Sequence, residues 1–191
     1  MGKPLNLKTL LEFMDSFEEE GEWLWTDTLM RSYFSDRKDA LYKKLKRFID
    51  AGLIVRVARG VYANPRSRHR HPFTQLYDVA NALRDREFFY HSLESRASEL
   101  SLISQVPNRL TFITEGRSHV CKTPFGIVEF VHGKIDREKV KEYLRKGWLS
   151  WNNKKKVYEA SPELVERDMR RHRRSVDLLE EQKLKEQMIY Y

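Results

Sequence analysis

The chain has 191 residues, 40% of them hydrophobic and 12% aromatic, which is enough apolar material for one large globular domain or two small ones. Residues 1 to 30 carry seven acids, and no apolar run in the chain approaches the roughly 18 residues needed to span a bilayer. This argues against a secretory leader and a membrane anchor, and for a cytoplasmic protein. The single cysteine, Cys121, excludes an internal disulfide and agrees with a reducing compartment.

The net charge of +8 is unevenly distributed: residues 1 to 30 hold two lysines against seven acids, whereas residues 31 to 72 hold twelve Lys or Arg against Asp36, Asp39 and Asp50. A contiguous basic stretch is the footprint of a polyanion-binding surface, because each neutralised phosphate releases counterions. A solvated basic face would carry the same charge, so the element order has to decide.

Asn6 is a good N-cap, and Leu7, Leu10, Leu11, Met14 and Phe17 follow at helical spacing up to the acidic run that ends at Gly21. Residues 22 to 25 are short and aromatic and read as a strand. Thr26 caps a second helix carrying Leu29, Met30 and Tyr33. After a turn at Phe34 and Ser35, either Ser35 or Asp36 caps a third helix, whose Leu41, Leu45, Phe48 and Ile49 form one stripe and which ends at Gly52. Residues 53 to 57 and 61 to 63 then form a hairpin around Ala58, Arg59 and Gly60. Three helices followed at once by a hairpin is the order of a winged helix-turn-helix, in which the third helix enters the major groove and the wing lies on the backbone or minor groove.

Residues 64 to 72 contain two prolines and are polar, so they read as a linker. Beyond it come a helix over 74 to 85, a strand over 88 to 90, a helix over 92 to 100, strands over 109 to 114, 119 to 122 and 126 to 131, and a helix over 136 to 145. Ser161 and Pro162 open two charged C-terminal helices. The expected fold class is therefore α+β. A winged helix-turn-helix DNA-binding domain spans 1 to 65, a basic linker 66 to 72, and a mixed α+β domain 73 to 191.

On the third helix Arg37, Lys38, Tyr42, Lys43, Lys46 and Arg47 lie away from the apolar stripe and form the candidate recognition surface, with Arg56 and Arg59 as wing contacts to phosphate. Arg66, Arg68 and Arg70 suit either a minor-groove arm or a disordered spacer. No metal is expected, because His69, His71, His91, His119, His132, His172 and Cys121 lack ligand spacing; only His119 and Cys121 share a strand face. Cys121 has no histidine base placed near it by sequence, the glycines form no phosphate loop, and Glu94 with Glu99, or Glu129 with Asp136, match no catalytic spacing. No cofactor and no enzymatic activity are expected. Trp148 and Trp151 flank a turn beside Lys154, Lys155 and Lys156, an arrangement open to core anchoring or to base stacking.

Three segments carry a family resemblance. Residues 50 to 63, with Arg56, Arg59, Gly60, Val61 and Tyr62 in an R-x-x-R-G-V-Y wing, resemble the end of the winged helix in AbiEi-type antitoxins. Tyr90-His91-Ser92-Leu93-Glu94-Ser95 with the strand over 109 to 114 looks like the start of that family's antitoxin domain, and Ala160-Ser161-Pro162-Glu163 is similar to its A-S-P-E helix start. After Glu163 the chain departs from the family's small apolar residues. The resemblance implies an antitoxin of a type IV toxin-antitoxin pair. Its winged helix would repress its own operon by binding operator DNA made of inverted repeats, and its second domain would counteract a nucleotidyltransferase-like toxin without a stable complex. The alternative is a winged-helix regulator whose second domain senses a ligand or dimerises.

Overall fold

The computed structural model describes residues 2 to 189. It is a mixed α+β chain of two compact units, Met1–Leu83 and Arg84–Tyr191. Among the described residues no helix is long and apolar enough to cross a membrane.

The first unit runs α1 (Leu7–Glu19), β1 (Leu24–Thr26), α2 (Asp27–Tyr33), α3 (Lys38–Asp50), β2 (Val55–Ala58), β3 (Val61–Ala63) and α4 (Gln75–Leu83). Asn6 caps α1 reciprocally: its side chain accepts from Thr9 N at 3.0 Å, and Thr9 Oγ1 accepts from Asn6 N at 2.9 Å. The stripe on α1 is rotated from the expected one. Leu10, Phe13 and Met14 are buried, while Leu7 and Leu11 face solvent, because Trp25 and Phe34 meet the helix at Phe13. Leu41 and Leu45 of α3 and Met30 of α2 close the same core. All strand pairs of this unit are antiparallel, in the order β1-β3-β2, and the β2–β3 register shifts between Arg56 and Ala58.

Two expectations change here. Arg37, not Ser35 or Asp36, occupies the N-cap of α3 and makes no side-chain cap. Asp36 instead accepts the Leu5 N–H and pairs with Lys44 at 2.6 Å, a long-range commitment that removes it from capping. Helix α4, expected in the second domain, packs in the first unit against β1 and β3, and Trp23 Nε1 donates to Asp78 Oδ2 at 3.0 Å. The division between the units thus falls after Leu83 instead of within residues 66 to 72.

The second unit holds β4 (Phe89–His91), α5 (Leu93–Glu99), β5 (Arg109–Thr114), β6 (His119–Thr123), β7 (Gly126–His132), α6 (Arg137–Arg145), β8 (Leu149–Asn152), β9 (Val157–Ala160), α7 (Pro162–His172) and α8 (Val176–Ile189). One mixed sheet runs β6-β7-β5-β4-β9-β8, with β5–β7 and β4–β9 parallel. Tyr90, Ile113, Leu149 and Ala160 pack from this sheet against Leu93, Ala97, Tyr143, Leu164, Val165, Met169 and Leu179 of the four helices. Strands β8 and β9 were not expected from sequence. Asp136 and Ser161 cap α6 and α7 by accepting from Lys139 N and Leu164 N.

Candidate nucleic-acid interface

The rotation of α3 follows from its core contacts. With Leu41 and Leu45 buried and Phe48 and Ile49 half-buried, about 100° per residue puts Lys43 and Arg47 opposite the core and Lys38, Tyr42 and Lys46 on one flank. Gly52, in the left-handed region at φ 69°, ends the helix and returns the chain directly into β2. The β2–β3 hairpin consequently stands beside that flank. Between helix and hairpin lies a groove of about 910 Å³, lined by Lys38, Tyr42, Lys46 and Asp50 on one side and by Arg56, Arg59 and Tyr62 on the other.

Its cations differ in how far they are neutralised. Among the described residues Arg37, Lys38, Lys43, Arg47 and Arg59 form no ion pair, and all five are exposed. Lys46 meets Asp50 at 2.8 Å one turn along, an exposed pair worth about 0.3 to 0.5 kcal/mol and readily exchanged for a phosphate. Lys44, on the flank away from the hairpin, is held by Asp36. Burial alone would raise the Asp36 carboxyl, but Lys44 and the Leu5 N–H outweigh it and hold the group below the usual carboxylate range. Arg56 is exposed, with Nε 3.4 Å from Ala58 O.

Tyr42 does not present a free hydroxyl. It donates to Asp27 Oδ2 at 2.6 Å, and this bond, followed by burial, raises the phenol above its ordinary value. Asp27 N–H in turn donates to Gly60 O at 2.7 Å. One residue at the first position of α2 therefore fastens α3 through Tyr42 and the hairpin turn through Gly60. Gly60 sits at φ 75°, where an L side chain is strained. Tyr62, on the floor of the groove, is also raised, first by burial and then by Asp27. Sequence patterning places Tyr42 among the reading residues; the geometry makes it a strut that sets the angle between helix and hairpin.

The basic segment after the hairpin is docked. Arg68 N–H donates to Glu18 Oε1 at 3.1 Å, with Arg68 Nε at 3.7 Å and His69 Nε2 at 3.6 Å from the same oxygen. Burial opposes ionisation of Glu18, yet the Ser67 hydroxyl and the Arg68 N–H lower it. The alternation of prolines and arginines gave no sign of this anchor, which lies 50 residues upstream.

In the second unit His119 is exposed and Cys121 is buried, its thiol raised by that burial. One group sequence analysis did not assemble is His91 with Glu99 and Glu159, whose ligand atoms lie within 4.8 Å of one another. Their charge is already opposed, because Lys155 Nζ is 2.8 Å from Glu99 and 2.7 Å from Glu159, and Arg96 reaches both carboxylates at 3.0 and 3.3 Å. His91 Nε2 lies 2.8 Å from Ser95 Oγ, but that oxygen also accepts the Thr111 N–H at 2.9 Å, and burial lowers the imidazole despite Glu159. These are the contacts of a buried network joining β4, α5 and β9. Glu94 and Glu129 are bridged by Arg174 at 2.7 and 2.8 Å, and Asp136 caps α6, so neither carboxylate pair considered from sequence forms a dyad. No family model matches the chain, and no curated protein matches it.

Proposed function

We propose that Met1–Leu83 is a winged helix-turn-helix that binds double-stranded operator DNA, with α3 in the major groove and the β2–β3 hairpin on the backbone. The observation that carries this reading is the pairing of an α1-β1-α2-α3-β2-β3 order with five exposed, unpaired cations on the two elements that bound one groove. Lys43 and Arg47 face away from the core and are assigned to base edges, with Arg37 and Lys38 at the helix N-terminus, the end that points into the groove. Lys46, Arg56 and Arg59 are assigned to phosphate.

We further propose that the whole chain is an AbiEi-type antitoxin that represses its own operon and counteracts a nucleotidyltransferase-like toxin without a stable complex, using no metal, cofactor or catalytic residue. The support is positional: the wing motif falls on β2–β3, Tyr90 to Ser95 spans the β4–α5 junction, and Ala160 to Glu163 joins β9 to α7. Co-expression with the product of an adjacent nucleotidyltransferase gene, scored for growth, tests it. Restored growth is expected, and continued arrest sinks the antitoxin assignment. A ligand-sensing regulator is the second reading, favoured by a cavity of about 470 Å³ in the second unit lined by Glu94, Arg109 and Arg174; the absence of a toxin gene beside this one would favour it.

A further inference from the structure

We propose that the β8–β9 hairpin of the second unit is a contact for single-stranded nucleic acid, in which Trp151 stacks on a base and Lys154 and Arg167 hold phosphates on either side. This is independent of the winged-helix reading, which concerns duplex DNA and the first unit.

Strand β8 is the last in the sheet order, so one of its edges has no neighbouring strand among the described residues. Trp151 on that strand is 51% exposed, whereas Trp25 is 0% and Trp23 3% exposed. The indole is held, since its cross-strand partner Tyr158 meets it edge-on at 5.1 Å and Tyr158 leans on Phe88 at 5.6 Å. A single exposed aromatic is ordinary on a protein surface; this one stands on a strand with cations at both of its ends.

Asn152 Oδ1 accepts both Lys154 N–H and Lys155 N–H at 3.0 Å, and Lys156 completes the reversal at φ 53°. This turn separates the lysines. Lys155 is drawn inward onto Glu99 and Glu159, while Lys154 is exposed and forms no ion pair among the described residues. At the other end of β8, Trp148 lies roughly 10 Å before Trp151 at the usual rise of a strand. Lys146 Nζ and the Arg167 guanidinium sit 4.7 and 5.4 Å from the centre of its ring. Lys146 is shared with Glu142 at 2.6 Å; Arg167 is exposed and in no ion pair among the described residues.

In chain order this gives a cation over Trp148 just before β8, the open indole of Trp151 on that edge strand and a cation in the turn after it. An indole stacks only on a base that is itself unstacked, so the ligand this set fits is a single strand, its backbone held by the cations. Stacking on a ring tolerates any base, and the site is expected to show little sequence preference.

The test uses the full chain and its own tryptophan emission, titrated with oligo(dT) and oligo(U) of about twelve nucleotides. Trp23 and Trp25 are buried and Trp148 is covered by Lys146 and Arg167, so quenching reports Trp151. Quenching is expected in the parent. Trp151→Ala should abolish it and weaken binding about tenfold, Trp151→Phe should restore most of the affinity, and Lys154→Ala or Arg167→Ala should each reduce the salt slope by about 0.7. A Lys43→Ala/Arg47→Ala variant should bind single strands like the parent. The proposal is overturned if the parent shows no quenching, if Trp151→Ala keeps its affinity, or if single-strand binding disappears in the Lys43/Arg47 variant. It is also overturned if Trp151→Ala instead breaks a concentration-dependent dimer, which would identify the edge as a contact between copies.

Discussion

Asp27 and Tyr42 carry a role that charge patterning does not reveal. The Asp27 carboxylate accepts the Tyr42 hydroxyl while its own N–H is bonded to Gly60 O, which ties the candidate reading helix to the hairpin turn. Tyr42→Phe should cost about 1 kcal/mol of stability, the usual net value of one hydrogen bond. It should also weaken operator and scrambled duplexes together, because a strut carries no sequence information. Loss on operator alone, measured by titration of both duplexes, would return Tyr42 to the base-reading set. A second residue-scale prediction concerns Asp168, buried in α7 and pushed up to about 6, chiefly by burial, against the opposing Ser92 and Tyr90 hydroxyls that donate to it at 2.7 and 2.9 Å. Its folded value lies above the ordinary 3.8, so the native state retains a proton that the unfolded chain has released. The group therefore costs stability progressively as pH rises from about 4 to about 6, with a plateau beyond. Asp168→Asn keeps an acceptor for both hydroxyls and removes this cost. Urea melts should show it stabilised by about 2 kcal/mol near pH 8 and by less near pH 5, and an equal change at both would contradict the assignment.

At the scale of elements, local chemistry was legible and long-range commitments were not. Asn6, Thr26 and Ser161 all cap the helices their positions announce, because a cap is a contact three residues away. Asp36 looks equally good, yet it is spent on Leu5 and Lys44, and nothing within α3 discloses that. The paired strands β8 and β9 were missed for the same reason. Their segments are short and flanked by Asn and Lys, and β9 is fixed by parallel pairing with β4, 68 residues earlier by the register of Glu159 with His91. Of the expected site, Lys38, Lys46, Arg56 and Arg59 do converge on one groove, Lys43 and Arg47 lie outward of it, and Tyr42 has another task. Helix α4 yields a direct test. A fragment ending at residue 71 removes Asp78 from the Trp23 indole and should melt lower than Met1–Leu83, by circular dichroism. Equal melting would mean that α4 contributes nothing to the first unit.

For the whole molecule, the division after Leu83 separates a unit with the unpaired cations of α3 and the hairpin from one whose charges around Glu159 and Arg174 are held in ion pairs. If these units divide the labour as proposed, Lys43→Ala/Arg47→Ala should lose repression of a reporter fused to the operon's promoter while keeping growth rescue against the toxin. Loss of both together would mean that DNA binding and neutralisation share one surface.

If α3 reads sequence while the hairpin holds backbone, binding of operator and scrambled duplexes across a salt series should separate the two elements. The Lys43→Ala/Arg47→Ala variant should lose about 1 to 3 kcal/mol per base contact on operator and little on scrambled DNA, while Arg59→Ala should weaken both and reduce the salt slope by about one. Operator affinity equal to the parent's in the Lys43/Arg47 variant would contradict the account and leave the basic face of α3 as solvated surface.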